Sequence, residues 1–376
     1  MKAMIFTAST GGGHNAAAHA VAEALQRQGV ETAVRDCMAV AGKQFSQRVS
    51  DAYVHLVQSS PSTFGRIYRL GSTVSDWGHM SPIYLANASY ASKMKALLDA
   101  EKPDMIICTH LFAGHTLTYL RKHGGYTGLT AFVMTDYTCI PFQREVQCDL
   151  LFISHPDVEA ECLADGMDPS SFRTFGIPVS AACRPCSNKA EAKRIAGLSP
   201  QCREVLLAGG SMGAGNLPEV IDELLPALGN DGHITAVCGS NAHAREAAEE
   251  KFAKNGQVTV LGEVRPLTGL MAACDVLVSK SGGLTSTEAM AMNLPFVVYH
   301  ALDGCEALNA ALFERNGMAM WAKDAEELRA CVSRLLCDES ARNAMMSRQR
   351  LHIDPCAADR IAQELLCAKE MRDHET

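Results

Sequence analysis

The stretch Ser279-Lys280-Ser281-Gly282-Gly283-Leu284-Thr285-Ser286-Thr287-Glu288 follows the strand-like run Asp275 to Val278 and leads into Ala289-Met290-Ala291-Met292. It reads as strand, glycine loop and helix start. Such a loop aims backbone N–H groups and the positive end of a helix dipole at one point, which suits a diphosphate. Glu288 is expected in the first helical turn. There its carboxylate either accepts both hydroxyls of a ribose or simply complements the dipole. Farther on, Asp303-Gly304-Cys305-Glu306 and Asn309 follow the run Phe296 to Tyr299 and read as a polar loop and the next helix start, with capping as the alternative role.

Working outward, the same grammar recurs along the chain. Short apolar runs rich in β-branched residues alternate with helical Ala/Leu/Glu-rich stretches, the pattern of an α/β protein with parallel sheets. One series of strands is expected at Ala3 to Thr7, Thr32 to Arg35, Met105 to Cys108, Thr130 to Met134, Leu150 to Ser154 and Arg173 to Phe175. A second is expected at Val205 to Ala208, Ile234 to Cys238, Val258 to Leu261, Val276 to Ser279 and Phe296 to Tyr299. Between them lie Gly176-Ile177-Pro178-Val179, Pro185 and a short helix near Ala190 to Ala196. The reading is therefore a first domain over residues 1–178, a linker over 179–200, a second domain over 201–354, and a terminal segment 355–376. Its helix, Ala357 to Met371, is expected to cross back onto the first domain. At 376 residues, 47% apolar and 20% charged, the chain has ordinary globular composition and is long enough for two cores.

Two further glycine loops carry chemistry. Met4 to Thr7 runs into Ser9-Thr10-Gly11-Gly12-Gly13-His14, with an Ala-rich helix expected from Asn15 to Gln28. His14 would stand above the carboxyl edge of a sheet, where open α/β folds bind ligands. A helix start disfavours the imidazolium form and keeps such a histidine available as a base, although helix capping alone would also place it there. His110 and His115 follow another strand and read as packed histidines. The loop Gly209-Gly210-Ser211-Met212-Gly213-Ala214-Gly215 departs from the G-x-G-x-x-G dinucleotide spacing, and no acidic residue clearly ends the next strand. With the Ser281 loop in the same half, the two can hold opposite sides of one diphosphate.

Together these residues resemble the monogalactosyldiacylglycerol synthase and processive diacylglycerol glucosyltransferase family, relatives of the N-acetylglucosaminyltransferase that forms lipid II. The resemblance runs from about Met4 to Arg350. It rests on Gly11-Gly12-Gly13-His14, Thr135-Asp136, Gly176-Ile177-Pro178-Val179, Gly209-Gly210-Ser211-Met212-Gly213, and Ser281-Gly282-Gly283-Leu284-Thr285 through Glu288 to Leu294-Pro295. It implies a glycosyltransferase-B fold, two Rossmann-like domains facing across a cleft, and an inverting hexose transfer from a UDP-sugar to diacylglycerol or a related lipid. It further implies that Gly210, Ser211, Met212 and Gly213 with Ser281, Gly282, Gly283, Leu284 and Thr285 cradle the phosphates. Glu288 would hold the ribose, the backbone at Val264 would read uracil, and Cys305, Glu306 and Asn309 would lie at the sugar.

As base, His14 is expected, with Asp136 as runner-up or as its orienting partner. No Asp-x-Asp pair occurs, so loop amides and a helix dipole are expected in place of a metal. No cofactor is expected beyond the UDP-sugar co-substrate. Relatives commonly carry Pro-Gly-Gln where this chain has Asp303-Gly304-Cys305, and a thiol is a poor substitute for an amide that hydrogen-bonds sugar hydroxyls. That leaves the donor sugar open. The alternatives are an N-acetylglucosamine transferase with a lipid-linked acceptor, a UDP-sugar 2-epimerase, and a non-catalytic sugar-nucleotide binder.

The formal net charge of −8 argues against nucleic-acid binding. Locally, Lys43 to Lys95 holds six basic residues against two acidic ones. Within it, Ser50 to Ala91 carries Leu56, Val57, Phe64, Ile67, Tyr68, Leu70, Trp77 and Tyr84, which suits either a lipid acceptor and an anionic membrane surface or a packed helical hairpin. Neither a signal peptide nor a spanning run is evident, so a cytoplasmic protein peripherally attached to the inner face of the membrane is expected. The fifteen cysteines are scattered, and Cys183-Arg184-Pro185-Cys186 lacks a second ligand pair for zinc. Processivity and oligomeric state are not legible.

Overall fold

Runs such as Met4-Ile5-Phe6 and Met105-Ile106-Ile107-Cys108 are buried along their whole length, as strands covered on both faces must be, and they build parallel sheets. A computed structural model of the chain describes residues 1–8, 12–42, 81–213 and 215–375. These divide into two units, one ending at Ala181 and resuming at Cys356, the other running from Ala182 to Pro355.

In the first unit, β1 (Lys2–Thr7), β2 (Glu31–Asp36), β3 (Met105–Cys108), β4 (Leu129–Val133), β5 (Leu150–Ile153) and β6 (Phe172–Thr174) form one parallel sheet ordered β2-β1-β3-β4-β5-β6. Ile5 lies opposite both Val34 and Ile107. The helix Gly12–Arg27 packs Ala18, Val21, Ala24 and Leu25 into the core on this sheet. Its spacing of small residues allows close approach. The terminal helix Ala357–Glu375 adds Ala358, Ile361, Ala362 and Leu365 to the same core, and Arg27 pairs with Asp359 on it at 2.5 Å. Fully burying an Ile or Leu side chain contributes roughly 1.5–3 kcal/mol, so Ile361 and Leu365 hold this helix more firmly than its exposed ion pair does.

In the second unit, β7 (Arg203–Ala208), β8 (Gly232–Val237), β9 (Val258–Leu261), β10 (Val276–Ser279), β11 (Phe296–Val298) and β12 (Met320–Trp321) are ordered β12-β11-β10-β7-β8-β9, again all parallel. The helix Leu217–Leu228 buries Leu217, Val220, Ile221, Leu224 and Leu228, one helical face, against β7 and β8.

Each expected strand is present within a residue or two of its expected bounds. The edge strand β12 was not anticipated, because two residues carry no readable period. Helix Gly12–Arg27 starts ahead of the expected Asn15, so Gly12 and Gly13 lie in its first turn rather than in a loop. Gly11 and most of the basic, apolar segment Ser50 to Ala91, from Ser50 to Met80, lie outside the described residues. Of the eight apolar side chains named for that segment, Tyr84 alone is among the described residues. At 1% exposure it is buried against His115, with ring centroids 5.4 Å apart, and so is unavailable to a membrane. On the same helix, Pro82–Ala88, Ile83 and Leu85 are the apolar side chains that face solvent, at 37% and 58% exposure. Among the described residues no helix is long and apolar enough to cross a membrane.

Candidate active site

In the first unit the strand order reverses between β1 and β3, because β2 lies on one flank of β1 and β3 on the other. Open α/β sheets leave a crevice beyond the carboxyl ends of the strands at such a point. The helix that carries His14 starts there, and Thr109 follows β3 directly, its N–H donating to the Phe6 carbonyl at 2.9 Å.

His14 is half-buried, and its orientation is set by two threonines. Nδ1 lies 2.8 Å from the Thr109 carbonyl oxygen and 2.9 Å from Thr135 Oγ1. A carbonyl only accepts, so Nδ1 carries the hydrogen, and in the neutral ring the lone pair is on Nε2. Among the described residues Nε2 has no hydrogen-bond partner. Thr109 Oγ1 returns a bond to the His14 carbonyl at 3.0 Å. Burial lowers the pKa of His14 from its ordinary value, against the opposing pulls of the Asp136 charge and the Thr109 carbonyl. The result is a neutral, oriented imidazole whose basic nitrogen meets no partner among the described residues.

From the sequence, Asp136 is expected as the runner-up base or as the group that orients His14. The orienting atoms on Nδ1 are instead those of Thr109 and Thr135, and Asp136 reaches the imidazole through its charge. Its own carbonyl is held by Ser154 Oγ at 2.7 Å. His110 lies edge-on to His14, with centroids 4.6 Å apart, and accepts from the Phe112 N–H through Nδ1. Burial and the neighbouring histidines keep its pKa well below the usual value. His115 is fully buried between Asn87 and the Phe142 carbonyl, a packed histidine as expected.

The second unit repeats the arrangement. Here the strand order reverses between β7 and β10, with Ala208 opposite Ser279. Ser279 Oγ donates to the Ala208 carbonyl at 2.7 Å, so both glycine loops leave from one switch point. The first is shaped by the turn after β8. Gly213 has φ +59°, and a Cβ on it would lie 2.0 Å from the Cys238 carbonyl oxygen. Asn241 Nδ2 donates to the Gly213 carbonyl at 3.0 Å, and the Ser240 N–H donates to that of Ser211 at 3.0 Å. The sequence reading missed Gly239, whose Cβ would lie 2.4 Å from the Gly210 carbonyl oxygen, and Asn241. A tight strand-to-helix turn after a second strand was the only signal for them. Met212, within the loop, is buried.

The second loop opens the helix Gly283–Ala291 with Gly282 as N-cap and no side-chain cap. Its first intrahelical acceptor, Gly282 O, is taken by Ser286 N at 3.2 Å, so the N–H groups of Gly283, Leu284 and Thr285 are the ones a ligand can use. Ser281 supports rather than lines this site. Fully buried, it donates from Oγ to the Glu306 carbonyl, at 2.5 Å, and accepts from Asn309 Nδ2 at 2.9 Å on its own carbonyl. Asn309 is likewise fully buried, and Glu306 is ion-paired with Lys280, so both brace the loop. Cys305 is half-buried at the first position of the helix Cys305–Arg315, behind Gly304 at φ +103°. Val264 is half-buried in the turn after β9.

Glu288 stands in the second turn of its helix, not the first, because the helix begins at Gly283. Its carboxylate has no partner among the described residues, and burial pushes its pKa up to about 7. A desolvated, unpaired carboxylate beside uncapped helix amides is costly unless a ligand supplies donors. Among the described residues no group of three or more His, Cys, Asp or Glu comes together as a metal site.

Residues 14–179 match the family described as monogalactosyldiacylglycerol (MGDG) synthase, and residues 203–338 match glycosyl transferases group 1. The processive diacylglycerol beta-glucosyltransferase of Bacillus subtilis is 26% identical over 98% of this chain and 96% of its own length. That of Bacillus pumilus is 27% identical over 94% and 91%. Among solved structures, MurG of Acinetobacter baumannii superposes with a TM-score of 0.63 at 16% identity, covering 97% of this chain and 99% of its own. HepE of Anabaena, in complex with UDP and glucose, does so at 0.58 and 14%, covering 98% and 100%. The resemblance read from the motifs is thereby borne out, and the fold is that of the glycosyltransferase-B enzymes.

Proposed function

We propose that this chain, a relative of the MGDG synthases and processive diacylglycerol glucosyltransferases, is an inverting UDP-sugar-dependent hexosyltransferase acting on diacylglycerol or a related membrane lipid. The observation that carries the reading is His14, neutral, locked by Thr109 and Thr135 with Nε2 open. The acceptor hydroxyl oxygen attacks the anomeric carbon, its proton passes to Nε2, and the bond to the diphosphate breaks with its electron pair leaving on UDP. The Gly210–Gly213 turn and the amides of Gly283, Leu284 and Thr285 stabilise that developing charge, and Glu288 takes the ribose hydroxyls. In this reading those amides and the helix dipole do the work that a metal ion does elsewhere. The lipid acceptor implies that the protein acts at an anionic membrane surface on the cytoplasmic side. Exposed Ile83 and Leu85 support such a contact.

The test is a screen of UDP-glucose, UDP-galactose and UDP-N-acetylglucosamine with vesicles that hold diacylglycerol and an anionic lipid. UDP release from a UDP-hexose that requires diacylglycerol is the expected result. Conversion of the sugar without lipid would identify an epimerase instead, and UDP binding without any turnover would identify a binder.

A further inference from the structure

We propose that Lys280 is the cation that receives the diphosphate leaving group, exchanging the carboxylate of Glu306 for a phosphate oxygen when the donor binds. This rests on the nucleotide reading of the second unit and gives a part in the reaction to a residue placed so far only as the ion-pair partner of Glu306.

The first observation is position. Lys280 follows β10 directly, and its side chain runs between the two glycine loops. A Cβ on Gly210 would lie 2.8 Å from Lys280 Cε, and one on Gly282 would lie 3.7 Å from Nζ. The lysine stem therefore passes close against Gly210, and the ammonium stands beside the backbone of both loops.

The second observation is the partner. Lys280 is 17% exposed and pairs with Glu306 at 9%. Removing one member of so secluded a pair leaves an uncompensated charge, so the carboxylate keeps the ammonium in place while no anion is bound. The other oxygen of Glu306 is anchored on its own, accepting from the Leu302 N–H at 3.1 Å. That carboxylate keeps a partner when Nζ swings away.

The third argument is charge. A helix N-terminus presents only about half an elementary charge, while cleavage places a full extra negative charge on the diphosphate. A lysine ammonium supplies a whole positive charge as a point donor, which suits phosphate. The electron pair of the broken C–O bond stays on the β-phosphate oxygen, no proton is transferred by Lys280, and its ammonium neutralises that oxygen.

Calorimetric titration with UDP and with uridine tests the assignment on three variants. Lys280→Met is expected to weaken UDP binding about 10- to 100-fold, the loss for a hydrogen bond to a charged group, with uridine affinity unchanged. Lys280→Arg should recover part of the loss. Glu306→Gln should keep clearly more UDP affinity than Lys280→Met, because the competing carboxylate is gone while the amide oxygen can still accept from the Leu302 N–H. Read against wild type for UDP and uridine, this variant keeps the test decisive if the methionine variant does not fold. A pair that only braces the loops would instead give Lys280→Met and Glu306→Gln the same losses, for UDP and uridine alike. Lys280→Met with unchanged UDP affinity overturns the assignment alone, whereas a wild-type protein that binds no UDP overturns the nucleotide reading beneath it.

Discussion

Replacing Glu288 by Gln should stabilise the protein and impair it in the same stroke. Burial alone raises this carboxyl from 4.5 to about 7. Between those two values the folded chain holds a proton that the unfolded chain has lost. Stability is therefore highest below the unfolded pKa and falls as the pH rises through the folded one. At about 1.36 kcal/mol per unit, the full penalty above pH 7 is about 3 kcal/mol, and at pH 5 it is under about 1 kcal/mol. Glu288→Gln removes the ionisable group and with it the penalty.

Urea unfolding of wild type and variant at pH 8 and pH 5 should thus show a gain of up to about 3 kcal/mol at pH 8 and little at pH 5. UDP titration of the same samples should show the opposite sign. The ribose loses a charged acceptor, a weakening of about 10- to 100-fold. A variant no more stable than wild type at pH 8, or one with an equal gain at both pH values, would refute the desolvation argument. A gain in stability with UDP affinity intact would remove Glu288 from the ribose site. A desolvation cost held at a residue proposed to bind ligand is a usual form of stability–activity trade-off.

Other expectations follow from the same geometry. His14→Ala should abolish hexose transfer while leaving UDP affinity nearly intact by titration, and a large loss of UDP binding would contradict its role as base. In wild type, transfer should decline on the acid side with a midpoint below the ordinary histidine value, since burial favours the neutral ring. Asp136→Asn should move that midpoint lower still, whereas abolished transfer at every pH would make Asp136 the base. Gly213→Ala should destroy UDP binding, because its methyl would sit 2.0 Å from the Cys238 carbonyl at a φ that alanine avoids; wild-type affinity would refute the close approach. Burial lowers the pKa of His14, His110 and His115 in the folded chain, so only the unfolded chain takes up their protons as the pH falls below about 6.5. The protection of the first unit's amides, meaning exchange corrected for the intrinsic base-catalysed rate, should accordingly fall below that pH, and protection that ignores pH would count against the burial argument.

The amino-acid sequence by itself determined the strand–loop–helix grammar, the two series of strands, the two glycine loops of the second unit and the candidacy of His14. All of these are written in local patterns, apolar runs ended by glycine, which need no partner to be recognised. Register along a helix was less legible. Glu288 fell one turn later than expected because the apolar pattern marks a helix but not its first residue. Tertiary structure alone decided who meets whom. The Thr109 carbonyl and the Thr135 hydroxyl are 95 and 121 residues from His14 in the chain, and only the parallel pairing of β1 with β3, and of β3 with β4, brings them to its Nδ1. The same holds for the two loops joined by the pairing of β7 with β10, for Lys280 between them, and for Glu306 and Asn309 turned inward as braces. A chain encodes its elements locally because dihedral preference and burial act residue by residue. Its site depends on hydrogen bonds and charges between elements, and those exist only once the sheet order is set.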